Sequence, residues 1–237
     1  KTMRRQIIVM FCGLFLLPLQ AVRAEAPPVA QNRGALFKVQ DASHTLYLFG
    51  TIHVGAADFY PLEPTVTQAL EGAGALALEI DPGADPHSAI RAVLKYGMEA
   101  PGSKVPPDCR QALAPRLAPL LKRYGIAPEA VAPMKPWMLA SMLAIGEFST
   151  LGYRSELAVD NYLSQQAKAR KIPVLKLESM EGQMALFGAM TPADQCRFLE
   201  DGVASIEDQE QSQEAREIAN AWRTADAAAF DKLAAKA

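Results

Sequence analysis

At 237 residues, half of them apolar and about a fifth charged, the chain has the composition of one globular domain, which excludes a disordered, collagen-like or coiled-coil polypeptide. The formal net charge of −2 hides an asymmetry: residues 1–24 carry Lys1, Arg4, Arg5 and Arg23 and no acid, leaving 20 of the 24 bases against all 26 acids downstream. No basic stripe follows, so the electrostatic footprint of phosphate binding is missing and nucleic acid is not an expected partner.

In chain order, Met3-Arg4-Arg5 precedes an apolar run over residues 7–19 and the small-residue stretch Ala21-Val22-Arg23-Ala24-Glu25-Ala26. Basic, apolar and small segments in that order predict an export signal over residues 1–24, hence a periplasmic or secreted protein. The apolar run falls short of the roughly 20 residues that cross a hydrocarbon core, so no stable membrane anchor is expected after signal cleavage. Residues 25–33, rich in Pro and Ala, read as a flexible lead-in, and residues 34–237 as the folded domain. Cys12 lies in the discarded segment. Export leaves Cys109 and Cys196 where a disulfide persists; they either pair or stand as two separate buried thiols.

Residues 35–40 and 45–49 alternate like strands around the turn-forming Asp41-Ala42-Ser43-His44, which predicts a β-hairpin. Its second arm runs into Gly50-Thr51-Ile52-His53, placing a histidine just beyond a strand end. Two further apolar runs, residues 75–81 and 172–178, end in acid: Glu79 with Asp81, and Glu178. Between and after them the punctuation is helical. Asp85-Pro86 opens a helix stopped by Gly97, a leucine-rich helix runs over residues 106–124 to Gly125, and Lys135-Pro136 opens another over residues 137–148. Residues 155–171 follow Gly152-Tyr153-Arg154, and beyond Thr191-Pro192-Ala193-Asp194, a capping-box-like start, the chain reads as helix to residue 237.

Strands separated by helices long enough to cross over predict an α/β fold: a mixed sheet with an N-terminal β-hairpin and a largely helical second half. Ligands of open α/β sheets sit outside the carboxyl ends of the strands, where His53, Glu79 with Asp81, and Glu178 fall. One imidazole with two or three carboxylates can bind a divalent metal, lower the pKa of its water and keep a carboxylate as general base. The expected metal set is His53, Glu79 and Asp81, and the expected catalytic set His53, Glu79 and Glu178. Bland alternatives stay open: His53 as a loop-bonding residue, Asp81 as a turn starter before Pro82-Gly83, and Glu178 as an acid favouring a helix N-terminus. Lys135, Trp137 and Arg154 are candidate substrate contacts, Arg154 as a clamp for an anion or carboxylate; Trp137 reads equally as an aromatic core anchor. No Gly-x-Ser-x-Gly elbow occurs.

The run Leu46-Tyr47-Leu48-Phe49-Gly50-Thr51-Ile52-His53-Val54-Gly55, the acid pair in Leu78-Glu79-Ile80-Asp81, and Lys135-Pro136-Trp137 resemble the TraB/GumN family. Ala158-Val159-Asp160-Asn161-Tyr162-Leu163 is similar to that family's Gly-Val-Asp helix start, and residues 174–178 with Glu181 and Gln183 to its strand ending in Leu-Glu. The likeness covers about residues 34–237. It implies kinship with Tiki-type metalloproteases and, more distantly, with erythromycin-esterase-like and ChaN-like folds, whose histidine and glutamate match His53 and Glu79. By that resemblance the expected cofactor is a divalent metal ion, Zn, Mn or Co. The expected function is an exported metal-dependent hydrolase acting on a peptide or amide, the alternative a module that sequesters a peptide in the same cleft without cutting it. Two departures stand out: Ala158 replaces the usual glycine, and the family's second Gly-x-x-His is absent, so the resemblance implies a domain lacking its C-terminal part.

Overall fold

The computed structural model describes residues 33–81, 83, 85–100 and 109–235; the expected export signal and nearly all of the lead-in lie outside them. The chain opens with β1 (Leu36–Gln40) and β2 (Thr45–Phe49), paired antiparallel with Phe37 opposite Leu48 and Val39 opposite Leu46. The turn forms because the Asp41 carboxylate accepts the amides of Ser43 and His44, each at 2.7 Å, in place of backbone partners. A 3-10 turn (Ala57–Phe59) leads to α1 (Pro64–Glu71) and β3 (Leu76–Leu78). Asp85 caps α2 (Pro86–Ala92) by accepting the His87 amide at 2.9 Å, and a π turn (Val93–Gly97) carries the helix to the predicted glycine stop. α3 (Cys109–Tyr124), the short α4 (Pro128–Val131) and α5 (Pro136–Thr150) follow.

α6 (Val159–Ala169) then leads to β4 (Val174–Lys176), which pairs parallel with β3, Leu76 opposite Val174. Ser179 caps α7 (Met180–Gly188), and Thr191 caps α8 (Pro192–Glu207) through the Asp194 amide. The helix expected to run on from there is instead three. Gln209 (φ 63°) and Ala225 (φ 49°) turn the chain left-handed, separating α8 from α9 (Glu210–Thr224) and α9 from α10 (Ala227–Ala234). Among the described residues no helix is long and apolar enough to cross a membrane.

The fold is mixed α/β with an N-terminal hairpin and a largely helical second half, but among the described residues the strands form two two-stranded sheets, β1-β2 and β3-β4, rather than one. Periodicity marks strands without saying which edges meet, and here β2 and β3 border a groove instead of pairing. Among the described residues there are two hydrophobic cores, and α5 contributes to both, with Leu139 and Leu143 in one and Phe148 packed against the other. Leucines of α3 and α5 pack against Leu199, Val203 and Ile206 of α8 in one. Phe59, Leu70, Val159, Leu163 and Trp222 anchor the other beneath the hairpin. Cys109 at the start of α3 is bonded to Cys196 of α8, Cα atoms 5.6 Å apart. Closing a loop of 87 residues contributes about 4 to 5 kcal/mol in the chain-entropy model.

Candidate functional site

The loop after β2 is held from three directions. Trp222 of α9 donates its indole N–H to the Gly50 carbonyl at 2.9 Å, the Val159 amide at the start of α6 donates to Ile52 at 3.0 Å, and Gly55 and Arg154 exchange backbone hydrogen bonds at 2.9 and 2.8 Å. A side chain at Gly55 would put its Cβ 1.8 Å from the Leu157 carbonyl oxygen, so only glycine admits this approach. His53 therefore projects from a short, braced loop.

Its two ring nitrogens meet different carboxylates. Nδ1 lies 3.1 Å from Asp160 Oδ2, and Nε2 faces Glu79 Oε2 at 3.7 Å. Asp160, in the first turn of α6, has a side chain only 18 % exposed, and its Oδ1 is buried with no partner among the described residues. An ionised carboxylate only accepts, so Nδ1 carries the proton and Nε2 is left facing Glu79. Glu79, one residue past β3, is 61 % exposed and open to solvent at the pair's outer side. The Asp160 hydrogen bond raises the His53 pKa above its ordinary 6.5; partial burial opposes this, and the charges of Asp160 and Glu79 add to it.

The other expected residues distribute unevenly. The parallel β3-β4 pair brings Glu178 beside Glu79 through its backbone, the Glu178 amide donating to the Glu79 carbonyl at 2.7 Å, while the Glu178 side chain accepts from Gln183 at 3.0 Å. Asp81 turns to α6: its carboxylate accepts from Ser164 at 2.8 Å and Lys168 at 2.9 Å and is only 7 % exposed. Burial pushes the Asp81 pKa up, but those hydrogen bonds and the Gly83 amide outweigh it and hold the carboxyl below the usual range. Arg154 joins the site loop by its backbone, with its exposed guanidinium 3.4 Å from Glu156. Trp137 is 1 % exposed and stacks on Phe187 of α7 at 5.2 Å, so its ring fills the helical half, and Lys135 is fixed there through its amide on the Gly97 carbonyl at 2.8 Å. Asp160 entered the sequence reading only as part of a helix-start motif. An acid in a first helical turn is a common feature, and its contact with a histidine 107 residues away has no local signature.

A divalent ion fits this constellation in part. Nε2 and Oε2, 3.7 Å apart, are spaced as two ligands of one ion bound at about 2.0 to 2.2 Å each, and Asp160 behind Nδ1 supplies the carboxylate that commonly orients a ligating histidine. Among the described residues no group of three or more His, Cys, Asp or Glu side chains is placed to hold a metal ion.

The sequence profile of the TraB/PrgY/gumN family matches residues 35–237. Curated relatives include the uncharacterized protein YbaP of Escherichia coli (strain K12) and that of Shigella flexneri. Each is 30% identical over 142 residues, or 59% of this chain and 50% of the relative. The chain thus spans about half the length of the curated relatives it matches. No solved structure matches it.

Proposed function

The chain belongs to the TraB/PrgY/gumN family, and from that membership and the geometry of His53 we propose that it is an exported, metal-dependent hydrolase acting on peptide or amide bonds. The observation that carries the reading is the histidine held between two carboxylates at 3.1 and 3.7 Å, one buried behind it and one open to solvent. That asymmetry separates an orienting group from a reacting one. His53 and Glu79 would hold Zn, Mn or Co, which when bound polarises a carbonyl and lowers the pKa of water toward neutrality.

The chain's own residues then have distinct tasks. Asp160 fixes the imidazole plane and its tautomer. Glu79 has one of two tasks: with an ion bound it is the second ligand, and without one it is the general base, exposed enough to take a proton from water and return it to a leaving amine. Glu178, held at the neighbouring strand end by its amide on Glu79, steadies that carboxylate's backbone. Arg154, beside the site loop, is the substrate contact best placed to meet a peptide carboxylate, whereas Asp81 is committed to Ser164 and Lys168. Export to the periplasm or medium is supported by the basic, apolar and small order of residues 1–24 and by the Cys109–Cys196 bond, which suits an oxidising compartment. A second reading, a module that captures a peptide in the same cleft without cutting it, is favoured by Asp81 and Glu178, whose side chains are engaged by Ser164 with Lys168 and by Gln183.

Turnover of a peptide library with Zn, Mn and Co separates the readings. The hydrolase reading predicts metal-stimulated cleavage that falls roughly 100-fold or more in His53→Ala at an unchanged thermal midpoint. Peptide retention by the wild type, with no cleavage under any of the three ions, would overturn it in favour of capture.

A further inference from the structure

One face of α6 touches both halves of the site. Asp160, Ser164 and Lys168 stand at every fourth position of the helix, and side chains so spaced follow one another along one side, about 6 Å apart on the axis. The first turn holds the histidine: the Val159 amide donates to the Ile52 carbonyl at 3.0 Å, and Asp160 Oδ2 lies 3.1 Å from His53 Nδ1. The turns beyond it hold the segment after β3. Ser164 donates its hydroxyl to Asp81 Oδ1 at 2.8 Å and Lys168 its ammonium to the same oxygen at 2.9 Å. The Gly83 amide, inside the turn that Asp81 starts, adds a third bond at 3.1 Å. The Asp81 side chain is 7 % exposed and Ser164 is 2 % exposed. A carboxylate at that depth is costly without partners, so the place of Ser164 and Lys168 decides where Asp81 goes. Glu79 is two residues away. The Glu178 amide ties its backbone to β4, and Asp81 supplies a second anchor beyond it.

We propose that Ser164 and Lys168 are positioning residues: through Asp81 they set Glu79 opposite the histidine that Asp160 orients, so that α6 fixes the 3.7 Å separation of His53 Nε2 and Glu79 Oε2. The two acids after β3 thereby divide the work, Asp81 as the buried anchor and Glu79 as the exposed group of the site. Neither Ser164 nor Lys168 touches His53 or Glu79 in this arrangement; both act through Asp81. Their part in turnover rests on the hydrolase reading of the same site and deepens it, whereas their part in the geometry stands apart from that reading.

The geometry is read on the whole chain by the nuclear Overhauser contact between the His53 ring protons and the Glu79 Hγ protons, with the contact from His53 to the Asp160 Hβ protons as internal reference. Ser164→Ala combined with Lys168→Met leaves Asp81 only the Gly83 amide of its three donors, and is expected to lose most of the Glu79 contact while the Asp160 reference stays. Lys168→Arg in the Ser164→Ala background returns a charged donor and is expected to restore the contact. Asp81→Ala deletes the buried charge instead of stranding it and is expected to give the same loss, which keeps the test available should the double variant not fold. A wild type without the Glu79 contact, or folded variants that keep it at wild-type strength, overturn the proposal. So does loss of the Asp160 reference together with the Glu79 contact, since α6 would then hold the whole loop rather than the Glu79 turn. Peptide turnover is scored separately: in an active enzyme kcat is expected to fall about tenfold or more in the variants that lose the contact, with KM within about twofold. A kcat that survives loss of the contact overturns the proposal, whereas a wild type without turnover counts against the hydrolase reading and leaves the Overhauser result to decide the geometry.

Discussion

At His53 the two ring nitrogens are divided between a largely buried acid and an exposed one, and that division raises the residue's pKa. Because Asp160 is the largest cause of the raised His53 pKa, Asp160→Asn is expected to bring it down toward 6.5. The C2-proton shift followed by NMR through pH 5 to 9 checks this, and turnover should fall about 10- to 100-fold with it, as for other groups that orient a metal-ligating histidine. A titration unchanged in the variant would remove Asp160 from its assigned role. His53 and Glu79 were legible in the sequence because each follows an apolar run directly, and strand ends are where α/β sheets place reactive groups. Asp160 and Asp81 were not, since which of two acids reaches the imidazole depends on where α6 packs. Asp81 lies only two residues past Glu79, yet Ser164 and Lys168 draw it to the helix.

Among the elements, the helices that sequence punctuates are those the fold contains: Asp85 before Pro86, Thr191 before Pro192, and Gly125 at φ 68° after α3. The breaks at Gln209 and Ala225 escaped the sequence because neither is glycine or proline. Tertiary packing of α9 against α8 and of α10 against α9 over-determines their left-handed turns. Within α5, the apolar run hid Glu147, which is 1 % exposed and joins three helices. It accepts from Tyr124 at 2.6 Å, pairs with Arg123 of α3 at 3.0 Å, and accepts a short hydrogen bond from Ser212 of α9. Burial would raise its pKa from 4.5, but the bonds from Ser212, Tyr124 and Arg123 prevail and hold it lower. A depressed carboxyl pKa contributes stability that is whole above the unfolded value and is lost as pH falls through the folded one. The thermal midpoint is therefore expected to drop as pH falls below about 4.5, with a shallower slope in Glu147→Gln, which should also cost roughly 1 to 3 kcal/mol at neutral pH. Identical slopes in the two proteins would show that this network does not couple to the proton.

Across the whole molecule, the site exists only because distant segments meet. The hairpin supplies the histidine, β3 the open glutamate, α6 the orienting aspartate, and Trp222 of α9 braces the loop from 172 residues away. Class and strand ends followed from periodicity, but the two separate sheets did not, because edge pairing is a tertiary choice and β2 and β3 leave a groove between them. The Cys109–Cys196 pairing is a tertiary outcome for the same reason: spacing alone does not bring α3 to α8. On the proposed reading His53 and Glu79 act as one unit, and a double-mutant cycle on kcat/KM for peptide cleavage measures their coupling. Residues that share a step fail together, so His53→Ala combined with Glu79→Gln should lose no more activity than the worse single variant. Losses that multiply would mean that the two side chains act apart and that their 3.7 Å approach is incidental to the chemistry.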